Sequence, residues 1–244
     1  MTRATHPTLI VALDVPDLSR ATELVRGLAP LGVWFKVGYE ALYGFGDALR
    51  AELEAAHANV FVDAKLHDIP RTVDAAVRAL VRPGVRILTV HAIGGNEMLQ
   101  AAVAAASDRA GELGIEVPQI FAVTILTSIA AEDLRELGLQ GGSGENVMRL
   151  AALARDARCA GVVCSANEVR DLKAYFGHDF GALTPGIRPG GLAHGDQKRV
   201  ATPQAAVAAG ADYLVVGRPI VEAADPVAAA RAILVEMKVA ADAR

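Results

Sequence analysis

The sequence predicts an α/β protein built as a (β/α)8 or TIM barrel, a single domain over residues 1–244. Three observations predict it. Short runs rich in Val, Ile and Leu recur about every 25–35 residues, as expected of parallel strands buried on both faces. Stretches with helical period fill each interval, so strands and helices alternate. No linker or low-complexity break divides the chain, and α/β barrels of about 250 residues are single domains. A doubly wound open sheet would carry a Gly-rich fingerprint after its first strand, and Asp14-Val-Pro-Asp17 stands there instead.

The elements follow in order. The predicted strands are Thr8–Leu13, Val33–Val37, Asn59–Ala64, Val85–His91, Gln119–Leu126, Ala160–Cys164, Gly181–Leu183 and Asp212–Val216. Helices are expected near 19–29, 39–57, 70–81, 96–110, 145–157, 167–175, 203–209 and 226–240. The third helix shows the pattern best: Val73, Ala76, Val77, Leu80 and Val81 form one apolar stripe, Pro70 suits its first turn, and Pro83-Gly84 ends it. Gly141-Gly-Ser-Gly144 follows a helix-like stretch and lacks the Lys of a P-loop, so it reads as a flexible connection.

Composition narrows the function classes. With 52% hydrophobic residues the chain can bury a large core. A net charge of −4 and the lack of a basic run argue against nucleic-acid and anionic-membrane partners. The early apolar run Leu9–Leu13 is cut by Asp14, too soon for a secretion signal, and no stretch approaches the roughly 18 apolar residues of a membrane span. A cytoplasmic location is expected. Cys159 and Cys164 fit no metal or redox spacing and read as reduced core thiols. The six histidines show no paired helical spacing, so no metal site is expected.

Reactive residues of such barrels sit at the C-terminal ends of the strands. Those positions hold Asp14, Lys36, Asp63 with Lys65, His91, Thr127 with Ser128, Ser165, Arg188 with Gln197, and Gly217-Arg218. The most informative is Asp63-Ala-Lys-Leu-His-Asp68. Residues two apart on a strand share a face, so Asp63 and Lys65 are expected to project together, with Asp68 just beyond. An acid, a base and a second acid there suit proton transfer or carbanion stabilisation. Taken singly, Lys36 and Asp63 read equally as a buried ion pair, and Asp68 as a charge at a helix N-terminus. Ser165 and His91 read as hydrogen-bonding core groups. The conjunction favours a site. The loops after strands seven and eight form the usual phosphate grip of this architecture. Gly217 would let a backbone N–H approach an anion, while Arg188 and Arg218 supply cations. The glycine-rich segment 189–197 between them suits a lid.

These residues resemble the orotidine 5′-phosphate decarboxylase family. The resemblance rests on Val62-Asp-Ala-Lys-Leu-His-Asp-Ile-Pro70, Ala12-Leu-Asp14, Phe35-Lys-Val-Gly38 and Leu126-Thr-Ser128. It continues in Thr184-Pro-Gly-Ile-Arg188, Asp196-Gln-Lys-Arg-Val200 and Val216-Gly-Arg218, in order over almost the whole chain. One departure is Gly195, where many relatives carry an acidic residue. The resemblance implies a homodimeric barrel that converts orotidine 5′-monophosphate to UMP and CO2 in pyrimidine biosynthesis, with no metal and no organic cofactor.

It also implies roles. Lys36, Asp63 and Lys65 would form the catalytic charge network, with Lys65 as proton donor to C6. Asp68 would join that network from the partner subunit, and Ile69 and Thr72 would also reach the partner's site. Asp14 would bind ribose and Thr127 the pyrimidine. Arg188, Gln197, Gly217 and Arg218 would hold the phosphate. His67 has no implied catalytic role and is expected to point away from Asp63 and Lys65. The nearest enzyme alternative is the related group of Mg²⁺-dependent sugar-phosphate decarboxylases and aldolases, which have an acidic residue where this chain has Lys36. A Schiff-base aldolase acting through Lys65 and a non-catalytic nucleotide sensor are further alternatives.

Overall fold

A computed structural model of the chain describes residues 6–190 and 200–243. Eight parallel strands close into a barrel in sequence order: β1 (Thr8–Ala12), β2 (Trp34–Val37), β3 (Val60–Leu66), β4 (Val85–His91), β5 (Gln119–Val123), β6 (Gly161–Val163), β7 (Gly181–Thr184) and β8 (Tyr213–Val216). The seam joins β1 to β8, with Thr8 opposite Tyr213 and Val11 opposite Val216. Helices α1 (Leu18–Leu28), α2 (Tyr39–Gly44), α3 (Gly46–Ala55), α4 (Pro70–Leu80), α5 (Asn96–Leu113), α6 (Ala131–Glu136) and α7 (Ser143–Asp156) fall in the first five crossovers. Helices α8 (Ala166–Phe176), α9 (Pro203–Ala209), α10 (Arg218–Val221) and α11 (Pro226–Asp242) complete the chain.

Strand alternation sorts the apolar residues into two layers. Ile10, Ala12, Phe61, Ile87, Phe121, Leu183 and Val215 fill the barrel interior. Their neighbours in sequence, such as Leu9, Val11, Val60, Val62 and Leu88, pack outward against the helices. The interior fits only because two strands lack side chains where they approach. A Cβ on Gly161 would lie 2.2 Å from the Gly181 carbonyl oxygen, and one on Gly181 would lie 2.7 Å from the Phe121 ring. Phe121 takes the volume that Gly181 leaves free, and the Gly181 backbone takes that at Gly161.

Below the barrel a buried polar network ties α8 to the last two strands. Lys173 Nζ donates to Phe180 O at 2.7 Å, to His178 O at 3.2 Å and to Asp212 Oδ2 at 2.7 Å. The same carboxylate oxygen accepts the Ala182 N–H at 2.8 Å. On α8's other end Ser165 is the N-cap: its Oγ accepts the Asn167 N–H and Glu168 Oε2 accepts the Ser165 N–H.

Several boundaries differ from expectation. The fifth strand ends at Val123 rather than Leu126, because the Thr124 hydroxyl turns back onto the Val163 carbonyl at 2.8 Å. The expected helix 39–57 is two helices, broken at Phe45, with Gly46 at φ +49. Ser143 and Gly144 open α7 instead of belonging to a loop, so only Gly141 and Gly142 connect. The short helices α6 and α10 have no apolar stripe long enough to show in the sequence.

Candidate active site

Strand β3 shapes the site. It runs two residues past its expected end, and its pairing with β4 slips there: Val62 faces Leu88 but Leu66 faces Val90. Four steps of β3 are thus matched by two of β4, leaving Asp63, Ala64 and Lys65 in a bulge. Lys65 lies in the left-handed region at φ +43, a strained conformation for a lysine. Asp63 and Lys65 do come together, as the sequence predicts, on a strand end that is bulged rather than regular. Lys65 Nζ ends 2.7 Å from Asp63 Oδ2.

Asp63 is buried, and cations converge on it from two strands. Lys36, the inward residue near the end of β2, places Nζ 3.6 Å from Asp63 Oδ2 and 3.1 Å from Asp14 Oδ1. The order is Asp14, Lys36, Asp63, Lys65, alternating in sign across β1 to β3. Gly38, which follows β2, leaves room for the Lys36–Asp14 pair: a Cβ there would lie 2.7 Å from Lys36 Nζ and 3.0 Å from Asp14 Oδ1, so these two side-chain ends would have to shift. Thr89 of β4 donates to Asp63 Oδ1 at 2.9 Å. The Tyr39 ring centroid lies 5.4 Å from Lys65 Nζ. Burial, then the negative charge of Asp63 and the nearby Tyr43, raise the Tyr39 phenol above its ordinary pKa.

A cavity of about 510 Å³ opens at this end of the barrel. Asp14, Lys36, Asp63 and Lys65 line one side. Thr127 and Ser128, after β5, and Arg188, Gly217 and Arg218, after β7 and β8, line the rest. Arg188 Nε is buried and has no hydrogen-bond partner among the described residues, so it is a donor that an anion or other acceptor could satisfy. The Arg188 backbone is pinned, its N–H donating to Ala201 O at 2.9 Å while the Ala201 N–H donates to Gly186 O. These bonds join the two ends of segment 189–200. A Cβ at Gly217 would make only ordinary contact with Ala12, so the glycine there does not relieve a clash.

The other expected residues lie elsewhere. Asp68, Ile69 and Thr72 are exposed and do not line this cavity. Asp68 Oδ1 accepts its neighbour Ile69's N–H at 2.7 Å at the start of α4. Gln197, and the lid residues 191–197, fall outside the described residues. His67 is exposed and also outside the cavity lining; its ring sits 5.8 Å from that of His91. Burial lowers the His91 pKa, His67 and Lys65 lower it further, and Asp63 opposes them. Sequence reasoning missed Thr89, Tyr39 and the steric role of Gly38. Thr89 could have been found by its inward parity with Ile87, two residues earlier in β4.

Comparison with known proteins shows the family. Residues 7–233 match the model of the "Orotidine 5′-phosphate decarboxylase / HUMPS family". A curated orotidine 5′-phosphate decarboxylase of Moorella thermoacetica is 50% identical over 231 residues, covering 94% of this chain and 92% of that protein. One from Methylobacterium sp. is 47% identical over 229 residues, covering 94% of each. Among solved structures, orotidine 5′-phosphate decarboxylase from Lactobacillus acidophilus superposes with a TM-score of 0.84 at 38% identity, covering 95% of this chain and 99% of that one. With this match over nearly its whole length, the chain belongs to the orotidine 5′-phosphate decarboxylase / HUMPS family.

Proposed function

We propose that this chain, as one catalytic domain over 1–244, decarboxylates orotidine 5′-monophosphate to UMP and CO2, with Lys65 as the proton donor. The activity follows from its family and from relatives of that name at about half identity. Within a family that also includes a second group, one observation carries the choice: the Lys36 ammonium stands between the Asp14 and Asp63 carboxylates. A divalent cation held by those two acids would meet a fixed positive charge. This favours a reaction whose electrostatics come from side chains, with no metal and no organic cofactor.

Loss of CO2 from C6 leaves an electron pair with no carbonyl placed to delocalise it. Lys65 would stabilise that developing charge and then protonate C6. Asp63 would lie beside the departing carboxylate; two like unit charges about 4 Å apart repel by about 4 kcal/mol at an effective dielectric of 20. Lys36 would hold Asp63 and, with Asp14, contact the ribose. Thr127 would hydrogen-bond the pyrimidine, and Arg188, Gln197, Gly217 and Arg218 would grip the phosphate, with 189–197 closing as a lid. Remote phosphate binding would then act on the reacting centre by excluding water. In this reading the active form is a cytoplasmic homodimer, and Asp68, Ile69 and Thr72 serve the partner's site. Their exposure, and their absence from the chain's own cavity lining, support that assignment.

The test is the loss of orotidine-monophosphate ultraviolet absorbance with and without a chelator. Loss in both conditions is expected. Loss only without chelator would point to a metal enzyme, and loss in neither to a nucleotide sensor.

A further inference from the structure

Thr89 sits in the middle of β4 and is fully buried. Its hydroxyl makes two bonds, both to the β3 bulge. It accepts the Lys65 backbone N–H at 3.0 Å and lies 2.9 Å from Asp63 Oδ1. The bulge explains the first bond. With four steps of β3 set against two of β4, the Lys65 N–H is out of register with the β4 carbonyls, and the Thr89 side chain replaces the missing backbone acceptor. The second bond then has a fixed direction. An N–H can only donate, so the hydroxyl receives from Lys65 and its single proton goes to Asp63. Asp63 must accept there, as an ionised carboxylate does.

The result is a closed circuit. The Lys65 ammonium bonds Asp63 Oδ2, Asp63 Oδ1 bonds Thr89, and Thr89 bonds the backbone of the same lysine. We infer that Thr89 is a positioning residue for the decarboxylation proposed above: it holds the left-handed Lys65 backbone and orients the Asp63 carboxylate, so both charges meet the reacting carbon in one geometry. Thr89 is not itself one of the residues that line the cavity; it acts through Asp63 and Lys65, which are. A displacement of about 1 Å in such a pair is enough to cost a large part of the rate.

The experiment compares Thr89→Val, which keeps the shape but removes the hydroxyl, with Thr89→Ser, which keeps the hydroxyl. Turnover of orotidine 5′-monophosphate and calorimetric binding of UMP are measured on both and on the wild type. Thr89→Val should lower kcat at least about tenfold, the loss expected for one bond to a charged group. KM and UMP affinity should stay within about threefold, because the phosphate and ribose contacts are untouched. Thr89→Ser should recover most of the lost kcat. Unchanged kcat in Thr89→Val, equal losses in both variants, or UMP binding that falls along with kcat would each overturn the positioning role. An inactive wild type would overturn the underlying decarboxylase reading, and this role with it; an active wild type beside an unaffected Thr89→Val would overturn the positioning role alone.

Discussion

At the scale of single residues, the site depends on where a few charges are buried. Lys65 Nζ is held by one carboxylate and one aromatic face, on a backbone that costs energy to keep at φ +43. Such strain persists where the surroundings over-determine it, and here Asp63 and Thr89 do so. Lys65→Ala should reduce kcat by at least about 100-fold, the usual scale of a lost general acid, while leaving the protein folded by circular dichroism. Residual turnover within tenfold of wild type would reject the proton-donor role. The acid and base positions were readable because charged residues interrupt apolar strands at their C-terminal ends. The left-handed turn at Lys65 was not, since no glycine or asparagine marks it. Thr89 escaped notice because threonine is an ordinary β-strand residue whose hydroxyl partners depend on register.

At the scale of elements, the two ends of the strands do different work. Below, α8 is fastened to β7 and β8 by Lys173 and Asp212. Replacing Lys173 by Met would strand a largely buried carboxylate and free two carbonyls. It should cost about 3–5 kcal/mol, read from the denaturation midpoint, with little change in KM. Above, the loops after β7 and β8 present Arg188, Gly217 and Arg218 to the cavity. If they grip phosphate, Arg218→Ala should cost at least about tenfold in kcat/KM on the nucleotide and almost nothing on the nucleoside that lacks phosphate. Equal losses on both would reject the grip. Strand and helix order was legible from apolar periodicity, because parallel strands buried on both faces leave long Val/Ile/Leu runs. The ends were less so: at Thr124 a side-chain hydroxyl, and at Phe45 a helix break, set the boundary through local hydrogen bonding that periodicity does not report.

At the scale of the whole molecule, the charge network is one carboxylate short of the set the resemblance implies. Asp68 is four residues from Lys65's neighbour Ala64 in sequence, yet it lies exposed at the start of α4, outside the cavity that Asp63 and Lys65 line. Ile69, beside it, is 65% exposed, and Tyr39 and Tyr43 of α2 stack on one another with much of their rings uncovered. Under the homodimer proposed above, a second copy of the chain would cover exposed apolar groups of this kind. If two copies exchange Asp68, each site is built from both. A Lys65→Ala chain would then lack its own proton donor but still lend Asp68, and an Asp68→Ala chain would lack the loan but keep its Lys65. Each homodimer should be nearly inactive. In a heterodimer, the site carrying Lys65 from the second chain would receive Asp68 from the first and be complete, while the other site would lack both. Mixing under exchange conditions should therefore recover about one working site in each heterodimer, or about a quarter of wild-type activity at equal amounts with random pairing. Heterodimers verified by mass spectrometry but with no recovered turnover would show that Asp68 acts within its own chain or not at all.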